Sequence, residues 1–199
     1  MGAIQITELK KLSYQETAST LALCKDNKSS TTKTKKVNNE HRDSILIRLF
    51  FYTGARGCEL LKLTPKDFSD RGAVTIKGAK GSNDRTIPLT SDDYLFPTEV
   101  REYIKSRNIQ PTERIFKISS RRLRQIWDFW RPNSHKGIHS IRHTVGVQLF
   151  LNCKNIHVVK TVLGHKSLTS TQVYLDYVES QRSLGKDMKG FLKKDFENE

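Results

Sequence analysis

Apolar residues recur at three- and four-residue intervals over most of the chain, the signature of helices with one buried face. Leu12, Ala18, Leu21 and Leu23, preceded by Leu9, predict a helix over residues 14–24. Ser13 is its N-cap, and Glu16 three residues on completes a capping box. The stretch KDNKSSTTKTKKVNN (25–39) has no apolar period and reads as a polar, basic loop. Ile45, Leu46, Leu49 and Phe50 predict a helix over 40–52. Gly54 and Gly57 break it, a short helix follows over 58–63, and Pro65 ends that one. Val74 and Ile76 then alternate, and after a glycine-rich turn residues 85–89 form the second arm of a β-hairpin with a long loop.

Helices dominate the remainder. A weaker one spans 92–107 with an interruption near Pro97. A stronger one spans 119–130, with Leu123, Ile126, Trp127 and Trp130 inward and Arg121, Arg122 and Arg124 pointing elsewhere. Ile138, Ile141, Val145 and Leu149 predict the buried stripe of a helix that begins near His139. NIHVVKTVLGH ends a further helix at Gly164, and TSTQVYLDYV opens another. In the tail, 181–199, Leu184, Met188, Phe191, Leu192 and Phe196 fall on one stripe despite Gly185 and Gly190. The expected fold class is mainly α with one small antiparallel β-hairpin (α+β).

Charge changes this picture most. The 199 residues carry 35 Lys and Arg against 21 Asp and Glu, a net charge of +14. So basic a chain points to a polyanion, and nucleic acid is the first candidate. The three cysteines, Cys24, Cys58 and Cys153, are widely spaced, so neither a disulfide framework nor a CxxC zinc site is expected. Cys58 and Cys153 sit in amphipathic patterns that predict small core residues. There is no signal-peptide pattern and no apolar run of membrane-spanning length. A soluble, cytoplasmic, DNA-associated protein in a reducing compartment is the expectation.

Four segments place cationic or hydroxyl groups beside a structural break: YTGARGCELLKL with Arg56, KGAKGSNDR with Lys77 and Lys80, HSIRH with His139 and Arg142, and LGHKSLTSTQVYLDY with His165, Tyr174 and Tyr177. Each has a structural reading: Arg56 as a helix brace, the lysines as solvated hairpin residues, Gly164-His165 as a helix cap, and the tyrosines as core. His139 and His143 mimic a metal pair, but Ser140 gives no HExxH base and no third ligand is near, so no metal is expected. Together the segments suit a scissile phosphate. Guanidinium groups match its non-bridging oxygens, an alkoxide leaving group needs a proton donor, and a tyrosine nucleophile needs a base. No acidic cluster of the kind that holds Mg²⁺ is apparent.

With these boxes in this order, the chain resembles the catalytic domain of the tyrosine recombinases, the family of phage integrases and Xer-type resolvases. TGARGCELLKLTPKDF resembles the family's Thr-Gly-x-Arg-x-x-Glu-Leu box. KGAKGSNDRTIPL resembles its hairpin, HSIRHT its His-x-x-Arg box, and LGHKSLTSTQVY its Leu-Gly-His box with a tyrosine nine residues after the histidine. The resemblance covers roughly residues 6–178. It implies that Tyr174 is the nucleophile, that Arg56 and Arg142 clamp the phosphate, and that His139 helps accept the tyrosine proton. It further implies that His165 hydrogen-bonds a non-bridging oxygen and that Lys80 protonates the 5′-oxygen. Tyr177 is left a packing role. Lys77, Arg85, Arg121, Arg122, Arg124 and Lys166 are expected to contact DNA.

The implied activity is site-specific recombination of double-stranded DNA through a 3′-phosphotyrosyl intermediate, with no ATP and no cofactor. A type IB topoisomerase-like relaxation and a non-catalytic DNA-binding regulator are the alternatives. The expected organisation is a catalytic domain over 1–180 and a tail over 181–199 passed between protomers, with no separate N-terminal core-binding domain. The expected assembly is a tetramer on paired DNA sites, and an accessory DNA-bending protein is a candidate partner.

Overall fold

The computed structural model describes residues 11–26, 35–79, 81–89 and 95–196. Among these residues, eight α-helices and one hairpin follow in the order α1 (Tyr14–Asp26), α2 (Lys35–Thr53), α3 (Gly57–Leu60), β1 (Ala73–Ile76), β2 (Arg85–Pro88), α4 (Phe96–Ser106), α5 (Ser120–Trp130), α6 (His139–Cys153), α7 (Ile156–Leu163) and α8 (Thr169–Phe196). The mainly helical class with a two-stranded antiparallel sheet is observed.

Several predicted elements shift for identifiable reasons. The capping box of α1 forms, with the Ser13 amide donating to Glu16 Oε2 (2.7 Å) and the Glu16 amide to Ser13 Oγ (3.1 Å). Its inward face is Thr20 and Cys24, however, while Leu23 is exposed. Of the stretch 25–39 predicted as a basic loop, Lys25 and Asp26 belong to α1 and residues 35–39 to α2, and residues 27–34 lie outside the described residues. Pro97 does not interrupt α4; it sits in the first turn, where a missing amide hydrogen costs nothing. Pro65 likewise opens a 3-10 turn (Pro65–Asp67) after α3 has ended at Leu60. Cys24 is the buried cysteine, with burial pushing its thiol up to about 12. Cys58 is half-buried and Cys153 exposed, so neither is a core residue.

Two apolar clusters make the core. The larger joins α1 to α5 with the hairpin, and Ile45, Leu46, Ile47, Leu49, Phe96, Phe116 and Trp127 are among its most enclosed members. A buried ion pair ties α2 to α4: Arg48 donates Nη1 to Glu99 Oε2 at 2.6 Å while lying 4.2 Å over the Phe96 ring. The smaller cluster joins α6, α7 and α8 through Val147, Phe150, Val159, Leu163, Tyr174, Tyr177 and Val178. Helix α6 runs between the two, with Ile141 in the first and Val147 and Phe150 in the second. It therefore has no single buried stripe. Of the predicted four, only Ile141 is fully buried; Ile138, Val145 and Leu149 are half-buried. The tail is continuous in backbone with α8, which runs unbroken to Phe196. The stripe of Leu184, Met188, Phe191, Leu192 and Phe196 lies outside the residues whose side chains are described.

Candidate active site

The site forms where the end of α2, the start of α3, the hairpin, α6, α7 and the start of α8 meet. Helix α2 ends at Thr53, whose hydroxyl donates to Leu49 O (2.6 Å). Gly54 follows at φ +57, a conformation that side chains disfavour. The reversal aims the Gly54 carbonyl at α6, and Arg142 Nη1 donates to it at 2.7 Å. Arg142 Nη2 donates to Leu163 O (2.8 Å), a carbonyl in the last turn of α7. A buried guanidinium is thus fixed by two orphan carbonyls at two chain breaks. Burial lowers its pKa to about 10, the Arg56 cation lowers it too, and Tyr174 acts in the opposite direction.

Arg56 is the N-cap of α3, and Glu59 is the third residue of that helix. Glu59 is buried and holds four groups. Its Oε2 accepts from the Arg56 amide (2.8 Å) and from Arg85 Nη2 (2.9 Å). Its Oε1 accepts from the Ala79 amide (3.2 Å) and lies 3.5 Å from Arg56 Nη1. Burial opposes the Glu59 charge, but these hydrogen bonds and the Arg85 cation outweigh it and hold the carboxyl below its ordinary value. Sequence reasoning gives Glu59 no role, although a signal is present: an acid three residues after the candidate phosphate-binding arginine.

Arg85 corrects an expectation. It does not face a DNA surface: it is buried, with Nε donating to Val162 O (2.7 Å) and Nη2 to Glu59. The hairpin register pairs Ile76 with Arg85 and Val74 with Ile87, so Arg85 shares the inward face with Ile87. Lys77, Lys166, Arg121, Arg122 and Arg124 are exposed, and Lys77 pairs with Asp84 at 3.2 Å. Lys80 lies outside the described residues. The loop residues beside it are anchored at the site, Ala79 to Glu59 and Asn83 through its amide to Gly164 O (2.9 Å).

Tyr174 stands in the second turn of α8, 2% exposed. Its ring lies parallel to that of His165, with centroids 6.2 Å apart and planes at 16°. His143 lies on it at the same distance, tilted by 47°. Burial raises the phenol pKa, and the Arg142 and Arg56 cations pull it back in part. His165 is buried, and its Nδ1 is 2.9 Å from Thr171 Oγ1. Burial, then the charges of Arg142, Arg56, Arg85 and His143, lower its pKa to about 4. The imidazole is neutral at pH 7.

The structure therefore brings together Arg56, Arg142, His165 and Tyr174. His139 opens α6 one turn before Arg142, with an exposed side chain. The second histidine against the Tyr174 ring, beside His165, is His143, to which sequence reasoning assigns no role, although it lies one residue from Arg142. Tyr177 packs in the second core with Lys11 Nζ 5.6 Å over its ring. Three arginines with one carboxylate leave a net positive, largely enclosed site built to hold an anion. Among the described residues, no group of three or more His, Cys, Asp or Glu is placed to hold a metal ion, and no helix is long and apolar enough to cross a membrane.

The chain belongs to the phage integrase family, whose profile matches residues 23–180. It is 30% identical over 145 residues to the tyrosine recombinase XerA of Pyrococcus furiosus, covering 67% of this chain and 49% of that protein. It is 32% identical over 159 residues to a tyrosine recombinase of Pseudothermotoga lettingae, covering 71% and 51%. The chain spans about half the length of these curated relatives. Among solved structures, the XerH site-specific recombinase bound to its difH substrate superposes with a TM-score of 0.65 at 23% identity, over 86% of this chain and 51% of that one. The catalytic domain of bacteriophage HP1 integrase gives 0.56 at 21% identity, over 84% and 87%. These likenesses establish the fold as that of a tyrosine recombinase catalytic domain.

Proposed function

We propose that the chain is the catalytic unit of a site-specific recombinase that cuts and rejoins double-stranded DNA through Tyr174. One observation carries this reading: Arg56 and Arg142 act electrostatically on the Tyr174 phenol, against which His165 is stacked. In this mechanism the phosphodiester occupies the positive site between the arginines. Tyr174 Oη attacks phosphorus, the bond to the 5′-oxygen breaks, and a 3′-phosphotyrosyl diester forms. The phenol proton leaves to a base, the role the family pattern gives His139, and the departing 5′-oxygen gains a proton. Lys80 is the donor by family pattern, and the anchoring of Ala79 and Asn83 at the site supports it. One phosphodiester replaces another, so no ATP is consumed, and arginines neutralise the charge that a metal would otherwise meet. Attack by the 5′-hydroxyl of a partner strand reverses the step and completes recombination.

The XerH recombinase was solved bound to its difH substrate, which supports DNA as the partner here. Exposed Arg121, Arg122 and Arg124 on one helix and Lys166 after α7 offer phosphate contacts outside the site. The assembly proposed is a tetramer on two paired sites, with α8 beyond residue 181 as the segment shared between protomers. Incubation with a duplex nicked near its cleavage site tests the reading. Wild-type protein forms a denaturation-resistant adduct and Tyr174→Phe forms none while still binding; an adduct from Tyr174→Phe refutes it.

A further inference from the structure

We infer that Thr171 is a positioning residue whose hydroxyl donates to His165 Nδ1 and thereby holds the imidazole in the tautomer with its proton on Nε2. The contact is 2.9 Å between two groups enclosed in the fold, His165 at 7% and Thr171 at 0% exposure. The distance alone allows either direction of donation. The burial of Thr171 decides between them. A hydroxyl carries one hydrogen, and His165 Nδ1 is the only partner of Thr171 Oγ1 among the described residues. If Nδ1 carried the proton, the threonine oxygen would accept it and its own hydrogen would be buried with no acceptor. Folded proteins avoid such orphans. Donation from Thr171 to a bare Nδ1 satisfies both groups.

The neutral state of the ring makes this choice consequential. With a pKa of about 4, His165 holds one proton at pH 7, and Thr171 places it on Nε2. Such a ring can donate a hydrogen bond to a phosphate oxygen. It cannot take the Tyr174 proton, because its only basic nitrogen is engaged by Thr171. Thr171 lies three residues before Tyr174 in α8, so one helical turn carries both the attacking group and the hydroxyl that orients its neighbour.

The catalytic consequence rests on the function proposed above; the tautomer does not. The test is therefore read first in the resting protein without DNA. In full-length protein labelled with ¹⁵N-histidine, nitrogen NMR distinguishes a protonated Nε2 from a protonated Nδ1, and His165→Gln identifies the resonances. Wild type and Thr171→Ser show the Nε2–H tautomer, and Thr171→Val loses that single state. On nicked duplex, Thr171→Val slows adduct formation about tenfold, less than the ~10²–10³-fold of losing an oxyanion donor outright. DNA affinity is unchanged and Thr171→Ser restores the rate. An Nδ1–H tautomer in wild type, or an unaltered Nε2–H state in Thr171→Val, overturns the inference. If the tautomer behaves as stated but no protein forms an adduct, the inference stands and the proposed function falls.

Discussion

The Tyr174 ring rests on the backbone of Gly146: a Cβ built at that glycine would lie 2.4 Å from Tyr174 Cε1 and 2.6 Å from Cζ. Helix α6 has no side chain where the Tyr174 ring of α8 packs against it. The position of the proposed nucleophile is thus set by an absence of atoms on a different helix. Gly146→Ala must displace either the ring or the helix, at a typical overpacking cost of about 1–3 kcal/mol. Misplacing a reacting group by about 1 Å can cost ~10²-fold in rate. The expected outcome is a much slower adduct-forming step with DNA affinity retained. Single-turnover cleavage beside a filter-binding measurement checks it, and an unchanged cleavage rate would mean that the seat of the ring is not limiting.

Glu59 and Arg85 form a buried pair at 2.9 Å that braces Arg56 and the hairpin loop. Removing the acid strands a buried cation, which typically costs about 3–5 kcal/mol. Glu59→Gln should lower the urea midpoint strongly. The double change Glu59→Gln with Arg85→Met should recover part of that loss without restoring cleavage, because Arg56 has lost its brace. A double variant less stable than the single one would show that Arg85 matters through Val162 rather than through Glu59.

Much of this was legible in the sequence, for reasons that vary by residue. The α5 stripe of Leu123, Ile126, Trp127 and Trp130 lies on one core, so a 3.6-residue period shows it directly. Helix α6 is pressed between two cores, and no single stripe can describe it. Arg85 was readable in principle: alternation from Ile87 puts it on the inward face, but its charge points the eye to DNA. Arg56, Arg142, His165 and Tyr174, which the fold brings together, stand out in the sequence because each sits in a box next to a chain break. His143 and Gly146 meet Tyr174 across segments about 30 residues apart, which spacing does not display; Glu59 and Thr171 lie within a few residues of Arg56 and His165, but only the fold shows which groups their side chains reach.

The His165 imidazole predicts an acid-sensitive fold. Its folded pKa of about 4 lies below the ordinary 6.5, so between those values the unfolded chain binds a proton that the native protein does not. Stability conferred by the neutral ring is complete above pH 6.5 and is lost as the pH falls toward 4, at no more than about 1.4 kcal/mol per pH unit. Urea titrations at pH 7 and pH 4.5 on wild type and His165→Asn check the sign. Wild type should lose more stability on acidification than the variant; an equal loss would remove His165 from the account.

Exposed arginines on α5 predict the salt dependence of binding. Changing Arg121 and Arg124 to Gln should weaken DNA binding and reduce the slope of log K against log salt by about one unit for each phosphate that is no longer neutralised. Changing buried Arg85 to Gln should lower stability and leave that slope unaltered. A slope that responds to Arg85 and not to Arg121 and Arg124 would reverse the assignment of the two sets.

The central claim is that Tyr174 becomes bonded to DNA with arginines in place of a metal. The most direct measurement is mass spectrometry of the adduct formed on a nicked duplex in excess EDTA, with fragmentation to locate the modified residue. The peptide covering residues 167–182 holds both Tyr174 and Tyr177, so the fragment series separates them. The account predicts a nucleotide linked through its 3′-phosphate to Tyr174, formed at an undiminished rate in EDTA and absent from Tyr174→Phe but not from Tyr177→Phe. A modification on Tyr177, a 5′-phosphate linkage, or a strict need for Mg²⁺ in the cleavage step would contradict it.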